Sequence, residues 1–382
     1  MKTKMKKVII CKKEKQPAGY ISSVPLKFPN KELFDVPQNI LLKAVEAERL
    51  IGKLDGITLT LPAINFFLRM FSYKDATSSS QIEGTQATMA DALEMSAEID
   101  ADETDAKDIL FYIKAMEYGI ERLKEFPVSL RFFREIHKKL MYGARATHFS
   151  DPGEFRKSQN WIGGTNLTNA SFIPVPYTEM NKNLDDLEEF IHNDTSTLPL
   201  VAIAYVHAQF ETIHPFLDGN GRVGRLLITF LLMKKGILEK PVLFLSSYFR
   251  KHKKIYYNKL RGYHDDGEVF EWVDFFLDGV IETAKEAIEI TDNIRKIRDE
   301  DMEKIQVLAK RESDSGVKVL QYLFENPIVT TKSVMRATGF TRAGAQKVID
   351  RFVNLGILKP EQKEINYDIK YTYDRYFRAF IN

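Results

Sequence analysis

The sequence predicts a mainly α-helical protein with little sheet, and three observations carry that expectation. Apolar residues recur at helical spacing in LLKAVEAERLIGKL and DILFYIKAMEYGIERL. Two long apolar runs, LPLVAIAYVHAQF and LLITFLLMKKG, have the composition of buried helices. Strand-like alternation is confined to short stretches, TNLTNASFIPVPY with its two prolines and the tail KEINYDIKYTY.

In chain order the elements group into four segments. Residues 1–100 open with an extended, proline-containing stretch, QPAGYISSVPLKFPN, and continue into helices. Residues 101–290 hold several helices and the alternating insertion, read as a short β-hairpin flap. Residues 291–312, within the charged stretch IRKIRDEDMEKIQVLAKRES, read as a solvated linking helix. Residues 313–382 read as a winged helix-turn-helix: VKVLQYLFEN, TTKSVMRATG and TRAGAQKVIDRFVNLGIL, with a turn at Gly339, then the alternating tail. Arg342, Gln346 and Lys347 at the start of its third helix could reach bases or phosphates, but Asp350, Glu361, Glu364 and Asp368 oppose them. DNA binding is therefore left open against a protein-docking or dimerisation role, and so is a homodimer.

Composition excludes several classes of function. Lys and Arg number 55 against 53 Asp and Glu, a formal charge of +2, so no global field marks a nucleic-acid or membrane-surface protein. The single cysteine, Cys11, rules out an intramolecular disulfide or a thiolate metal cluster and fits a reducing compartment. The basic start, MKTKMKKVIICKK, has too short an apolar run for a signal peptide, and no stretch approaches the roughly 18 apolar residues of a membrane span. The expectation is a cytoplasmic protein with no membrane partner.

Between the two apolar helices, residues 214–225 read HPFLDGNGRVGR. Asp-Gly and Asn-Gly are turn formers, so a tight turn is the simplest reading. A calcium loop fails, because Arg222 stands where a third ligand oxygen is expected. A turn does not require His214, Arg222 or Arg225. Gly219, Gly221 and Gly224 let main-chain N–H groups crowd ahead of a helix start, which makes an anion nest, and two guanidinium groups match phosphate oxygens. Asp218 would repel phosphate there unless Mg²⁺ lay between them. With His214 able to take a proton near neutral pH, the stretch reads as a nucleoside triphosphate site beside a general base.

This stretch resembles the signature HxFx(D/E)GNGRxxR of the Fic domain family and matches it at every fixed position. The resemblance extends through AYVHAQFETIHPF, GEFRKSQNWIGG and YFRKHKKIYYNKL, so it covers most of the middle block. It implies a protein adenylyltransferase that moves AMP from ATP to a hydroxyl side chain (Tyr, Ser or Thr) of a target protein, or of the chain itself. His214 would be the base and Asp218 the Mg²⁺ ligand. Gly219, Asn220, Gly221 and Gly224 would line the phosphate cradle, Arg222 and Arg225 would neutralise the phosphates, and Phe216 would anchor the loop. Tyr256 and Tyr257 are similar to the family's nucleoside-contacting helix, with two core aromatics as the equal alternative. The flap would dock the target by strand addition.

Upstream, SSSQIEGTQ admits two readings. Ser80-x-x-Glu83 is a capping box that would start a helix. Ser79-x-x-x-Glu83-Gly84 is similar to the family's inhibitory motif, (S/T)xxxE(G/N), which implies that Glu83 reaches Arg225 and occupies the arginine meant for the γ-phosphate. Such a pair is worth about 1.5–3 kcal/mol. Some relatives use the same glutamate to orient a water that removes AMP. The competing function is a nucleotide-sensing transcription regulator, for which a base at His214 would be superfluous.

Overall fold

The computed structural model describes residues 5–95, 105–142, 151–361 and 369–381. Its contacts divide the chain into two units, one of residues 1–52 with 72–284 and the other of 53–71 with 285–382. Among the described residues there are fifteen α-helices and five short strands, so the mainly helical expectation holds. None of these helices is long and apolar enough to cross a membrane.

A strand at Cys11–Lys15 follows the basic start, which the sequence did not reveal. Strand β1 (Cys11–Lys15) pairs antiparallel with β2 (Ile21–Pro25), in register from Cys11 opposite Pro25 to Lys15 opposite Ile21. Its lysines leave no apolar alternation, because β2 supplies nearly all the buried side chains of the pair. Helices α1 (Gln38–Thr58), α2 (Ile64–Ile82) and α3 (Met89–Met95) follow.

The core that carries the site is built from α4 (Ala106–Arg122), α5 (Leu130–Met141), α6 (Met180–Asn193), α7 (Pro199–Ile213) and α8 (Asn220–Lys234). A Ser129 cap starts α5, its side chain accepting from the Phe132 N–H, and a first-turn proline starts α7. Every residue of α7 from Leu200 to Ile213 is buried except Glu211, and α8 is buried almost as completely. These are the two apolar runs that flank the polar loop. Gly119 on α4 has no room for a side chain, since a Cβ there would lie 2.2 Å from the Phe230 ring of α8. Helices α9 (Ser246–Lys251) and α10 (Lys253–Arg261) then lead to α11 (Val269–Gln306), whose Trp272 indole N–H donates to the Ala204 carbonyl at 2.8 Å. The insertion expected as a hairpin flap closes on a single antiparallel bridge, Ile162 with Phe172, and not on two full strands. The Asn169 side chain accepts from the Thr165 and Asn166 N–H groups, so a side chain folds the tip and leaves no ladder.

The charged stretch expected as a linking helix is the second half of α11. The helix is interrupted at residues 307–309 and the chain resumes helical structure in α12 (Lys310–Glu325). Next come β3 (Ile328–Val329), α13 (Thr331–Thr338), α14 (Arg342–Asn354), β4 (Lys359–Pro360), β5 (Tyr371–Thr372) and α15 (Asp374–Ile381). The strands form one antiparallel sheet in the order β3-β5-β4. A capping box of Thr330 and Ser333 starts α13, and Gly339, with φ 74°, ends it. Asp301, fully buried on α11, accepts from Tyr373 at 2.7 Å and Arg375 at 3.2 Å. Glu364 and Asp368 of the alternating tail lie outside the described residues. The tail ends in helix α15, whose Tyr376 and Phe380 pack on Phe66 with ring centroids at 5.5 and 5.8 Å, an i,i+4 pair that a strand reading overlooks.

Candidate active site

The loop between α7 and α8 is held from below by the segment 153–160. His214 ends α7 in the left-handed region, φ 52° and ψ 62°, where a side chain other than glycine is uncommon. Its N–H donates to the Phe210 carbonyl at 2.9 Å. The Arg156 Nε donates to the His214 carbonyl at 3.0 Å, and the Asn160 Nδ2 donates to the carbonyls of His214 and Phe216 at 3.2 and 2.8 Å. Two buried side chains thus hold an unfavourable backbone in place.

Phe216 is fully buried and stacks on His137 at 3.8 Å, with the planes 4° apart. The Gly153 N–H donates to His137 Nδ1 at 2.8 Å, so Nε2 carries the proton and donates to the Asp218 carbonyl at 3.0 Å. Burial, and then the nearby Arg222 charge, outweigh the Asp218 contacts and push this imidazole down to about 4, so it is neutral. Asn220 closes the loop on itself: its Oδ1 accepts from the Phe216 N–H and its Nδ2 donates to the Phe216 carbonyl, both at 2.8 Å. Gly219, at φ 77°, turns the chain into α8. The first-turn amides of α8, which have no helical acceptors, thus stand with the positive end of the helix beside the loop.

Loop and helix start wall a cavity of 540 Å³, together with Glu83, Trp161, Phe172, Glu211 and Tyr256 among others. Of the residues singled out from the sequence, Glu83, His214, Asp218, Gly219, Asn220, Gly221, Arg225, Tyr256 and Tyr257 line it. Phe216, Arg222, Gly224, Ser79 and Gly84 do not. Arg222 is buried behind the loop, its guanidinium 3.6 Å from Asp218 and 4.0 Å from Asp108. Tyr256 is both core and wall: fully buried, its hydroxyl donates to His207 Nε2 at 2.9 Å, and His207 Nδ1 donates to the Gly224 carbonyl at 2.9 Å. Tyr257 is the more open of the two.

Arg225 is buried and fully engaged from α2. Its Nε donates to Ser79 Oγ at 2.8 Å, and its Nη2 donates to the Ser79 carbonyl at 3.1 Å and to Glu83 Oε1 at 2.6 Å. Burial alone would raise the Glu83 carboxyl, but Arg225 overrides it and holds the group below the usual range. Gly221 has a specific reason to be glycine, because a Cβ there would lie 2.4 Å from Glu83 Oε1. The capping-box reading of Ser80 and Glu83 is overturned: a helix ends there, at Ile82, and Ser80 Oγ has no hydrogen-bond partner among the described residues.

Around His214, Nδ1 lies 3.3 Å from the Glu211 carbonyl, its nearest acceptor, so Nδ1 carries the proton and Nε2 keeps its lone pair. Burial, followed by the Arg156 charge, pushes this ring down to about 4. The Glu211 carboxyl shows the reverse: burial, opposed by Arg225 and aided by Glu83, raises it to about 8. Sequence reasoning missed Glu211, Arg156, Asn160, His137 and Asp108. Arg156, Asn160 and Glu211 lie in segments that carry the resemblance, but nothing in the polar, aperiodic 153–164 or in the apolar run before His214 singles out these residues.

Fold and site together define a helical protein with an anion-suited helix start, a buried arginine and an oriented histidine on one cavity. Residues 41–121 match the Fic/DOC family N-terminal model and residues 127–232 the Fic/DOC family model. It is 25% identical to Protein adenylyltransferase Fic of Drosophila persimilis over 275 residues, 69% of this chain and 49% of that protein. With the protein of the same name from Drosophila melanogaster it shares 27% identity over 262 residues, 66% of this chain and 47% of that one. The chain thus spans about half the length of the curated relatives it matches. A Fic family protein from Desulfovibrio desulfuricans G20 has a similar fold, with TM-score 0.58 and 18% identity over 88% of this chain and 96% of that one. So does a Fic domain containing signaling protein from Bacteroides thetaiotaomicron VPI-5482, with TM-score 0.51 and 20% identity over 64% and 97%.

Proposed function

We propose that this chain is a protein adenylyltransferase that transfers AMP from ATP to a Tyr, Ser or Thr hydroxyl of a target protein and is restrained by Glu83. The observation that carries the reading is the convergence on one cavity of His214, the start of α8 and the Glu83–Arg225 pair. The names of the Drosophila relatives point the same way.

In the proposed reaction the target hydroxyl oxygen attacks the α-phosphorus, the bond to the β-phosphate oxygen breaks, and pyrophosphate leaves. His214 Nε2 takes the hydroxyl proton while Nδ1–H stays on the Glu211 carbonyl. The α8 amides and Arg225 hold the phosphates in line, so positioning and charge neutralisation supply most of the catalysis. Among the described residues no three His, Cys, Asp or Glu side chains cluster as a metal cage. Asp218, the carboxylate that the loop itself brings to the cavity, fits Mg²⁺, which is usually held by one or two carboxylates with phosphate and water oxygens and here would shield the carboxylate from the phosphates. While Glu83 occupies Arg225, the γ-phosphate lacks its arginine and ATP sits unproductively. Glu83 is partly exposed, so the pair is worth the lower end of about 1.5–3 kcal/mol. The test is incubation with α-labelled ATP and a cell lysate: label should enter protein with the intact chain and not with His214→Ala.

For residues 313–382 the run α12, β3, α13, α14, β4, β5 supports a winged helix-turn-helix. Its third helix presents Arg342 and Lys347, but Gln346 is held internally, donating to Asp350 at 2.7 Å and accepting from Thr331 at 2.7 Å. That internal engagement favours a protein-docking role over base reading.

A further inference from the structure

Glu211 is a nearly buried carboxyl on the wall of the cavity that the proposed reaction leaves without a task. Its Oε1 has no hydrogen-bond partner among the described residues and faces Gly224, where a Cβ would lie 2.4 Å away. Its Oε2 lies 3.9 Å from Nδ1 of His214. An unpartnered buried carboxyl is costly to keep, and a helix interior such as α7 does not require one.

We propose that Glu211 is the positioning residue of His214, its carboxylate stabilising the imidazolium that forms when Nε2 takes the target's proton. The inference rests on the adenylyltransferase reading and adds to it the group that sets the strength of the base.

A base titrating at about 4 takes a proton from a hydroxyl poorly at neutral pH. An opposite charge within about 4–6 Å favours the charged form of the ring, and Oε2 is the carboxyl oxygen in that range. Glu211 performs this task only when ionised. The groups facing it are His214 from the loop, Glu83 from the end of α2, Arg225 from α8 and the hydroxyls of Tyr256 and Tyr257 from α10. Burial is the main reason that Glu211 keeps its proton; Glu83 adds to it in smaller part, and Arg225 favours ionisation. Glu83 thus opposes transfer twice, by occupying Arg225 and by adding to the burial that keeps the partner of the base neutral. No new covalent step is involved, since one proton passes from the target hydroxyl to Nε2 as before.

The experiment follows kcat for label transfer against pH in Glu83→Gly, alone and combined with Glu211→Gln or Glu211→Asp. In Glu83→Gly, kcat should rise with pH by up to about tenfold across the ionisation of a group titrating near or below about 8. Glu211→Gln should flatten that rise at unchanged KM for ATP, and Glu211→Asp should restore it in part. Independently of activity, NMR of the ring nitrogens of His214, assigned by their loss in His214→Gln, should shift over the same pH range in the unmutated chain and not in Glu211→Gln. A pH rise that survives in Glu83→Gly/Glu211→Gln, or His214 signals that titrate alike with and without Glu211, overturns the proposal. If Glu83→Gly transfers no label at all, the adenylyltransferase reading itself fails, and the NMR titration still decides whether Glu211 and His214 are coupled.

Discussion

His214 reconciles two demands that oppose each other: a base must be exposed enough to meet a hydroxyl and held firmly enough to point one nitrogen at it. The left-handed backbone turns its side chain to the cavity, and Arg156 and Asn160 supply the restraint. Replacing the ring should therefore remove chemistry and spare binding. In His214→Ala, label transfer should vanish while ATP affinity, read by calorimetry, changes less than about threefold. Glu83→Gly acts in the opposite direction. It frees Arg225 for the γ-phosphate, so transfer and self-labelling should rise by about tenfold or more, as expected for an ion pair of about 1.5 kcal/mol or above. Lost or unchanged transfer in that variant would leave Glu83 as no more than a helix-end residue. Asp218→Ala should lose the Mg²⁺ dependence together with activity, and equal rates in excess chelator would contradict the role given to Asp218.

At the scale of elements, the loop of 214–225 was legible because its chemistry is contiguous: the histidine, the carboxylate, three glycines and both arginines stand within one turn and the start of one helix. The supports of that loop come from elsewhere in the chain, and a single sequence gives no measure of spatial proximity. Arg156 and Asn160 matter because their side chains reach carbonyls some 54–58 positions away. Glu211 matters because its side chain is nearly buried and its Oε1 wholly so, a property that its apolar neighbours hide. The β1–β2 pair escaped notice because its lysines break the alternation, and α15 because it follows directly on the alternating stretch KEINYDIKYTY. The same dependence on distant supports makes a prediction. Asn160→Ala leaves the His214 carbonyl to Arg156 and the Phe216 carbonyl to Asn220, one donor fewer on each, and it should lower stability by about 1–2 kcal/mol while reducing kcat more than ATP affinity. Thermal melts and transfer rates on the same preparation would check it.

For the molecule as a whole, buried groups set the pH range of stability. His137, His207 and His214 stay neutral when folded, held to about 4, 3 and 4, but would take protons near 6.5 when unfolded. Their stabilisation is complete above about pH 6.5 and is lost as pH falls towards 4. Glu211 runs the other way: folded it keeps its proton to about 8, unfolded only to about 4.5, so stability declines as pH rises between those values. Three groups against one place the maximum of Tm near pH 6.5, with a fall of roughly 5–10 °C towards pH 4.5, and Glu211→Gln should lift the alkaline side alone. The proposed restraint has a further consequence at this scale. Glu83 and Arg225 lie 142 positions apart on one chain, so the inhibitor is present at a fixed local concentration that dilution does not lower. A cell could not relieve it by making more or less of the protein. Specific activity should then be flat across a hundredfold range of enzyme concentration, and a slope would mean that a second copy reaches into the cavity.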